Sequence, residues 1–332
     1  VCRYVLKNDG AGFQSQEQQE VIKSNHPAFR PIDVAIGPEG ALYIADWYNP
    51  IIQHGEVDFR DPRRDKTHGR IWRVTAKGRP LVEKPKLVGA TVSELLEQLK
   101  SPEQWTRLQA KRVLKERGTK AVEPELAKWV AALPADAIHE KLEALWMYQG
   151  LDIVEPKLLE TLLTCAEPRA RASASRVTGA WAGKLPNALA LLTPRAVDDD
   201  PLVRLEAVRA LVQIPTTASA VAAAAALDKP VDRWLDYAIF LTLRELAPQW
   251  LPELKAGKLD FGGNPKQFVF ALQSSGSGDI SGPLQTLLKS GKLSKEREAE
   301  VWELVARTGG PAELGQALAV AVSSDPDGKL IS

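Results

Sequence analysis

Two hydrophobic periods divide the chain. Up to about residue 86 the apolar positions come in short alternating runs. Beyond it they recur every three or four residues almost to the end. In the first part, Ile32-Asp33-Val34-Ala35-Ile36 alternates with its large apolar side chains on even positions. Gly37-Pro38-Glu39-Gly40 has turn chemistry, and residues 41–46 read as a second strand, so the two form a hairpin. Residues 70–75 predict a third strand and Leu81-Val82-Glu83 a short fourth, with residues 47–69 as a long polar loop. Upstream, residues 3–6 and 19–22 read as the last two strands of a preceding unit. Repeated four-stranded antiparallel units are the blades of a β-propeller. Residues 1–86 are therefore expected to be the C-terminal part of one: a terminal blade and part of its predecessor. One blade and a half cannot close a ring. The chain also opens at Val1 as if in mid-strand, so a piece of a longer protein is expected.

Residues 87–325 predict paired helices, with 326–332 as a tail. In residues 200–214, Val203, Ala207, Ala210, Leu211 and Ile214 share one helical face, behind an Asp200 N-cap and Pro201 in the first turn. Similar starts stand at Pro102, Pro134, Pro168 and Pro230, at spacings of about 30–34 residues, which suits a helix-pair repeat. Partner stripes follow at Leu126, Trp129, Val130 and Leu133, and at Leu235, Ala238, Ile239, Thr242 and Leu246. Residues 200–211 resemble the HEAT repeat, which implies an α-solenoid stacked on a continuous core. The fold class is thus mixed: partial propeller, then HEAT-like solenoid. Residues 273–282 read as a loop between late helices. The tryptophans at 105, 129, 146, 181, 234, 250 and 302 read as packing between repeats.

Composition narrows the function. Lys+Arg 43 against Asp+Glu 42 gives +1, so there is no global attraction to nucleic acid or an anionic membrane. The two cysteines, Cys2 and Cys165, exclude a disulfide framework and a cysteine zinc cluster. No apolar run is long enough to span a bilayer, and no signal peptide is evident.

The chemistry gathers in the β region, which holds His26, His54 and His68; His139 opens a helix. Entry to the first strand of a hairpin and exit from its second lie at one end. His26, Phe29 and Arg30 are thus predicted to share a face with Asp46, Trp47, Tyr48, Asn49 and the long loop. There His54 and His68 are candidate proton carriers with Asp46 and Asp58 as carboxylates. Arg60, Arg63, Arg64 and Arg70 are candidate anion holders, with Arg30, Trp47, Tyr48 and Asn49 lining the same binding face. The alternative is a solvated, self-paired brace. No short histidine pair marks a metal site, and none is assigned. Asp198-Asp199-Asp200 reads as a helix cap. No phosphate loop or nucleophile elbow is present.

Residues 29–34, 37–56 and 58–72, including Ala45-Asp46-Trp47-Tyr48-Asn49-Pro50 and Arg63-Arg64-Asp65-Lys66-Thr67-His68-Gly69-Arg70, resemble the last propeller blade of the PVC-type heme-binding proteins. Asp9-Gly10-Ala11-Gly12-Phe13 and Val88-Gly89-Ala90-Thr91-Val92 fit the same pattern. That family, found in planctomycetes and verrucomicrobia, is often described as membrane-bound dehydrogenases. The resemblance implies an exported or periplasmic redox protein. It implies a propeller similar to quinoprotein sugar or alcohol dehydrogenases, with a quinone or calcium ion, then HEAT repeats, then a cytochrome domain carrying heme c. Neither Cys2 nor Cys165 stands in a Cys-x-x-Cys-His, so heme falls outside this chain. A non-catalytic scaffold is the competing expectation, with a protein or polysaccharide on the solenoid's concave face.

Overall fold

The computed structural model describes residues 1–51 and 60–276, scattered positions between 282 and 306, and the helix Pro311–Ser324. The chain forms two compact units. One comprises Val1–Asn8 and Phe13–Ile153, the other Asp9–Gly12 and Val154–Ser332.

The chain opens with the hairpin β1 (Arg3–Asp9) and β2 (Gly12–Gln18). A three-stranded antiparallel sheet follows, ordered β3 (Pro31–Ile36), β4 (Leu42–Asp46), β5 (Arg70–Val74). The turn between β3 and β4 is closed by the Gly37 N–H on Ala41 O at 2.8 Å, and Gly40 takes the left-handed φ of 79° that its lack of a Cβ permits. Opposite residues share a face, so the pairs Val34↔Ile44 and Ile44↔Trp72 make one row across the sheet. Ile44 at its centre is fully buried. On edge strand β3, Ile32, Val34 and Ile36 remain half or more exposed.

Two expected strands are absent. Residues 19–22 lie outside β2, which ends at Gln18; Val21 and Ile22 meet Val1, the Val21 N–H donating to Val1 O at 2.9 Å and Ile22 O accepting from the Val1 amino group at 2.8 Å. Residues 81–83 are not a strand. Val82 donates one hydrogen bond to Glu39 O at 3.0 Å, and Pro80 has no N–H to extend a ladder. The described strands form a two-stranded and a three-stranded sheet, with no closed ring among them.

The helices of the first unit are α1 (Val92–Glu97), α2 (Gln104–Arg117), α3 (Thr119–Ala132) and α4 (Ile138–Gly150). Helix α1 starts on a reciprocal capping box: Thr91 accepts from the Glu94 N–H, and Glu94 accepts from the Thr91 N–H at 2.7 Å.

The second unit stacks two helix layers. In one, α6 (Pro168–Ala180), α8 (Pro201–Leu211), α10 (Arg233–Glu245) and α12 (Pro265–Ser274) are successive neighbours. In the other, α5 (Pro156–Leu163), α7 (Ala188–Ala196), α9 (Thr217–Ala224) and α11 (Ala247–Lys255) are. Residues 311–324 form α13. The proline starts hold at α6 and α8, where Glu167 and Asp200 cap and proline is the first helical residue. They fail at Pro102, Pro134 and Pro230, because Glu103, Ala137 and Asp232 are the N-caps there and the prolines lie in the preceding turns. Residues 273 and 274 complete α12; residues 277–281 of the expected late loop lie outside the described residues.

One device recurs in both units. Arg107, Arg171 and Arg204 each turn one guanidinium nitrogen back onto the carbonyls six and five residues earlier, at 2.7–3.0 Å. The opposite edge reaches the next repeat: Arg107 binds Glu143, Arg171 grips Asp198 with two bonds, and Arg204 donates to Pro230 O. A guanidinium carries five donors in a rigid fork, so one side chain closes a turn and joins two repeats.

Candidate functional site

Of the sequence-predicted residues, His26, Phe29, Arg30, Asp46, Tyr48 and Arg70 meet at the end of the three-stranded sheet where β4 exits and β5 enters, and Asp46 organises them. It is the last residue of β4, its side chain is buried, and both its oxygens are occupied. Oδ1 accepts from the Arg30 N–H at 2.7 Å and the Tyr48 N–H at 3.0 Å, and Oδ2 accepts from the Trp72 indole at 2.9 Å. Burial alone would raise this carboxyl. The Trp72 indole, the two backbone N–H groups and the nearby Arg70 charge outweigh it and hold the group below the ordinary aspartate range. A carboxylate so occupied is a weak base. Its task here is to pin the entry to β3, the exit from β4 and the side chain of Trp72.

Pinned this way, Tyr48 sits at a left-handed φ of 52°. Its ring stacks on His26 at 5.7 Å, and the Arg70 guanidinium lies 3.5 Å from its centroid. Arg70 is also 5.7 Å from the Trp72 ring, which meets Phe29 edge-on at 6.4 Å. Among the described residues, the Arg70 guanidinium makes no hydrogen bond. A planar cation held against an aromatic face with its N–H fork unused is suited to a carboxylate or phosphate. Arg30 donates to Phe29 O at 3.1 Å, and its buried Nε has no partner among the described residues.

The other expected site residues are placed differently. Trp47 binds Arg30 O through its backbone N–H at 2.9 Å and leaves its indole largely exposed. Asn49 is buried and accepts from the Ile51 N–H at 3.1 Å, a local turn contact. Arg60 is exposed. His68 is exposed and its Nδ1 lies 2.9 Å from Asp65. His54 and Asp58 lie outside the described residues.

The loop's carboxylates are engaged locally. Asp61 is held at about 2, first by the Arg63 guanidinium and then by the Arg63 N–H. Asp65 is held at about 2, first by the Thr67 N–H, with His68 adding to it. Both are side chain-to-backbone turns of the kind aspartate favours, legible in the Asp-x-Arg and Asp-x-Thr spacings. On the other sheet face Glu39, held at about 2, accepts first from the Tyr43 hydroxyl at 2.6 Å and then from Arg73 at 3.0 Å. Sequence reasoning assigned no role to Glu39, Asp65 or Trp72. Trp72 and Glu39 find partners on other strands, which spacing alone does not disclose, whereas those of Asp65 are its own near neighbours.

Residues 1–78 match a domain of unknown function (DUF7133). Residues 155–244 match HEAT repeats, so α5 to α10 are a HEAT array. No curated protein matches the chain. Among the described residues no helix is long and apolar enough to cross a membrane, and no group of three His, Cys, Asp or Glu side chains could hold a metal ion.

Proposed function

We propose that this chain is a recognition scaffold: the HEAT array supplies a protein-binding surface, and the sheet module an anion-binding platform at Arg70 and Tyr48. One observation carries the reading. The buried and half-buried carboxylates are committed to holding the fold, Asp46 by three N–H donors, Glu143 by Arg107 and Lys111, Asp198 by Arg171 and Arg195, and Glu206 by Arg176. HEAT repeats commonly mediate protein interactions.

The exposed apolar row Ile32, Val34 and Ile36 favours a second reading, because such a row belongs against another sheet. Here the sheet is a propeller blade of a protein similar to the PVC-type heme-binding proteins. It would be exported, oxidise a sugar or alcohol, and pass electrons to a heme c domain outside this chain. Calcium does not fit at Asp46, whose oxygens face N–H donors. Arg70 and Tyr48 are the residues that would hold an anionic quinone, which would supply the oxidant. His68, against Asp65, is the described candidate for moving a proton.

Dye-linked oxidation of sugars and alcohols, with and without added quinone, separates the two. The scaffold reading expects no turnover, with His54→Ala and His68→Ala leaving partner capture intact. Turnover abolished by either substitution overturns it.

A further inference from the structure

The α6–α8–α10 layer carries a surface row that the HEAT fold does not need. Arg176, Arg209 and Leu241 each stand nine residues after the N-cap of their helix, and all three are exposed. Equivalent positions on neighbouring helices of a stack form a row across it. Between the first two helices lies a groove of about 220 Å³. Its floor is Gly179, Ala180 and Ala210, and its rim Arg176, Glu206, Arg209 and Gln213, so two guanidinium groups face one carboxylate. The floor is shallow because Gly179 meets Ala210 directly across the two helices, with only the alanine methyl between their backbones.

The rim is electrostatically unbalanced. Arg176 is spent on Glu206, to which it donates through Nε at 3.0 Å and through a second, shorter bond. Arg209 makes no hydrogen bond or ion pair among the described residues, so its charge is uncompensated. On the next helix the row turns apolar. Tyr237, 59% exposed, stacks on Phe240 at 6.2 Å, and Leu241 is 36% exposed beside them. Arg244 closes the row, with Glu245 as the carboxylate at its end.

Resting on the scaffold reading, we propose that this row is the docking site for a peptide segment of a partner protein that carries an acidic side chain next to an aromatic or aliphatic one. The acidic group enters the groove and pairs with Arg209, with the Gln213 amide as a second donor. The apolar neighbour lies over Tyr237 and Leu241. The unmatched cation and the adjoining exposed ring and leucine select this occupant. A nucleic acid strand would need a run of unpaired cations, whereas Arg176 is already neutralised.

The test is selection of a random displayed-peptide library on the intact chain, followed by binding measurements on Arg209→Glu, Tyr237→Ala and a surface control, Arg112→Glu. Enrichment of Asp or Glu next to Tyr, Phe or Leu is expected. Affinity should fall at least tenfold in Arg209→Glu, several-fold in Tyr237→Ala, and not in the control. Circular dichroism checks that each variant is folded. Enriched peptides without acidic residues, equal binding to Arg209→Glu, or preference for a single-stranded oligonucleotide over the selected peptides would each overturn the proposal. Peptides that bind tightly but map elsewhere by hydrogen exchange would overturn this site and leave the scaffold reading standing. Failure to select any binder would overturn this site.

Discussion

Replacing Gly179 with alanine probes the helix crossing on which the second unit turns. The added Cβ would lie 2.7 Å from the Ala210 Cβ and 3.0 Å from the Ala210 Cα. Carbon atoms at ease sit roughly 3.5–4.0 Å apart. Part of the obstruction is backbone, and α6 and α8 share more contact than any other helix pair described, so neither can withdraw cheaply. Overpacking of this kind costs about 1–3 kcal/mol. Against it stands the better helix propensity of alanine, worth up to about 1 kcal/mol in a helix interior and less here, one residue from the end of α6. The steric term wins, and the net expectation is a loss of about 1–2 kcal/mol. Because the chain has two compact units, global unfolding need not be two-state. Amide exchange in α6 and α8, read as local opening free energy, is the better assay. Ala210→Gly removes the nearer of the two obstructing atoms. Gly179→Ala should therefore cost less in that background, a coupling between touching residues. Unchanged or stronger protection in Gly179→Ala, or strictly additive effects in the double variant, would refute the reasoning.

Asp46→Asn keeps the shape but replaces one acceptor oxygen with a donor facing N–H groups. It should destabilise the sheet by about 1–3 kcal/mol, with a lower thermal midpoint and a changed Trp72 near-ultraviolet signal. Arg204→Ala strands the carbonyls of Asp198, Asp199 and Pro230, and should cost about 3 kcal/mol, seen as faster exchange in α8 and α10. Glu39 is depressed from 4.5 to about 2 in the fold, so its stabilisation is complete above pH 4.5 and is lost as the pH falls through 2. An acid titration of stability should decline across that window, and Glu39→Gln should flatten the decline. What remains of the slope belongs to the other depressed carboxylates, among them Asp46, Asp61, Asp65, Glu94, Glu97 and Asp198, which shift in the same direction.

Periodicity was enough to separate strand from helix, because a two-residue and a three-to-four-residue repeat bury different side-chain sets. It placed the β3–β4 hairpin and the Asp200–Pro201 helix start, and it picked out the buried faces of α8 and α10. These are local matters, settled by turn chemistry, capping and which side of an element is apolar. The tryptophan row shows where such reasoning stops. Trp250 is fully buried and donates to Leu243 O, whereas Trp234, in the first turn of α10, is 41% exposed. Residue type alone does not separate them, because exposure depends on the neighbour each indole meets.

The same limit applies to the site. The sequence by itself determined that His26, Phe29 and Arg30 would sit near Asp46 and Tyr48, since a hairpin returns the chain to where it started. Only tertiary structure decided their tasks. Asp46 became a structural acceptor because Trp72 arrives from β5 to donate to it. Arg70 is held over the Tyr48 ring, and among the described residues its fork meets no acceptor. Whether a charged side chain is spent or available depends on partners far away in the chain, and a linear pattern carries no record of those distances.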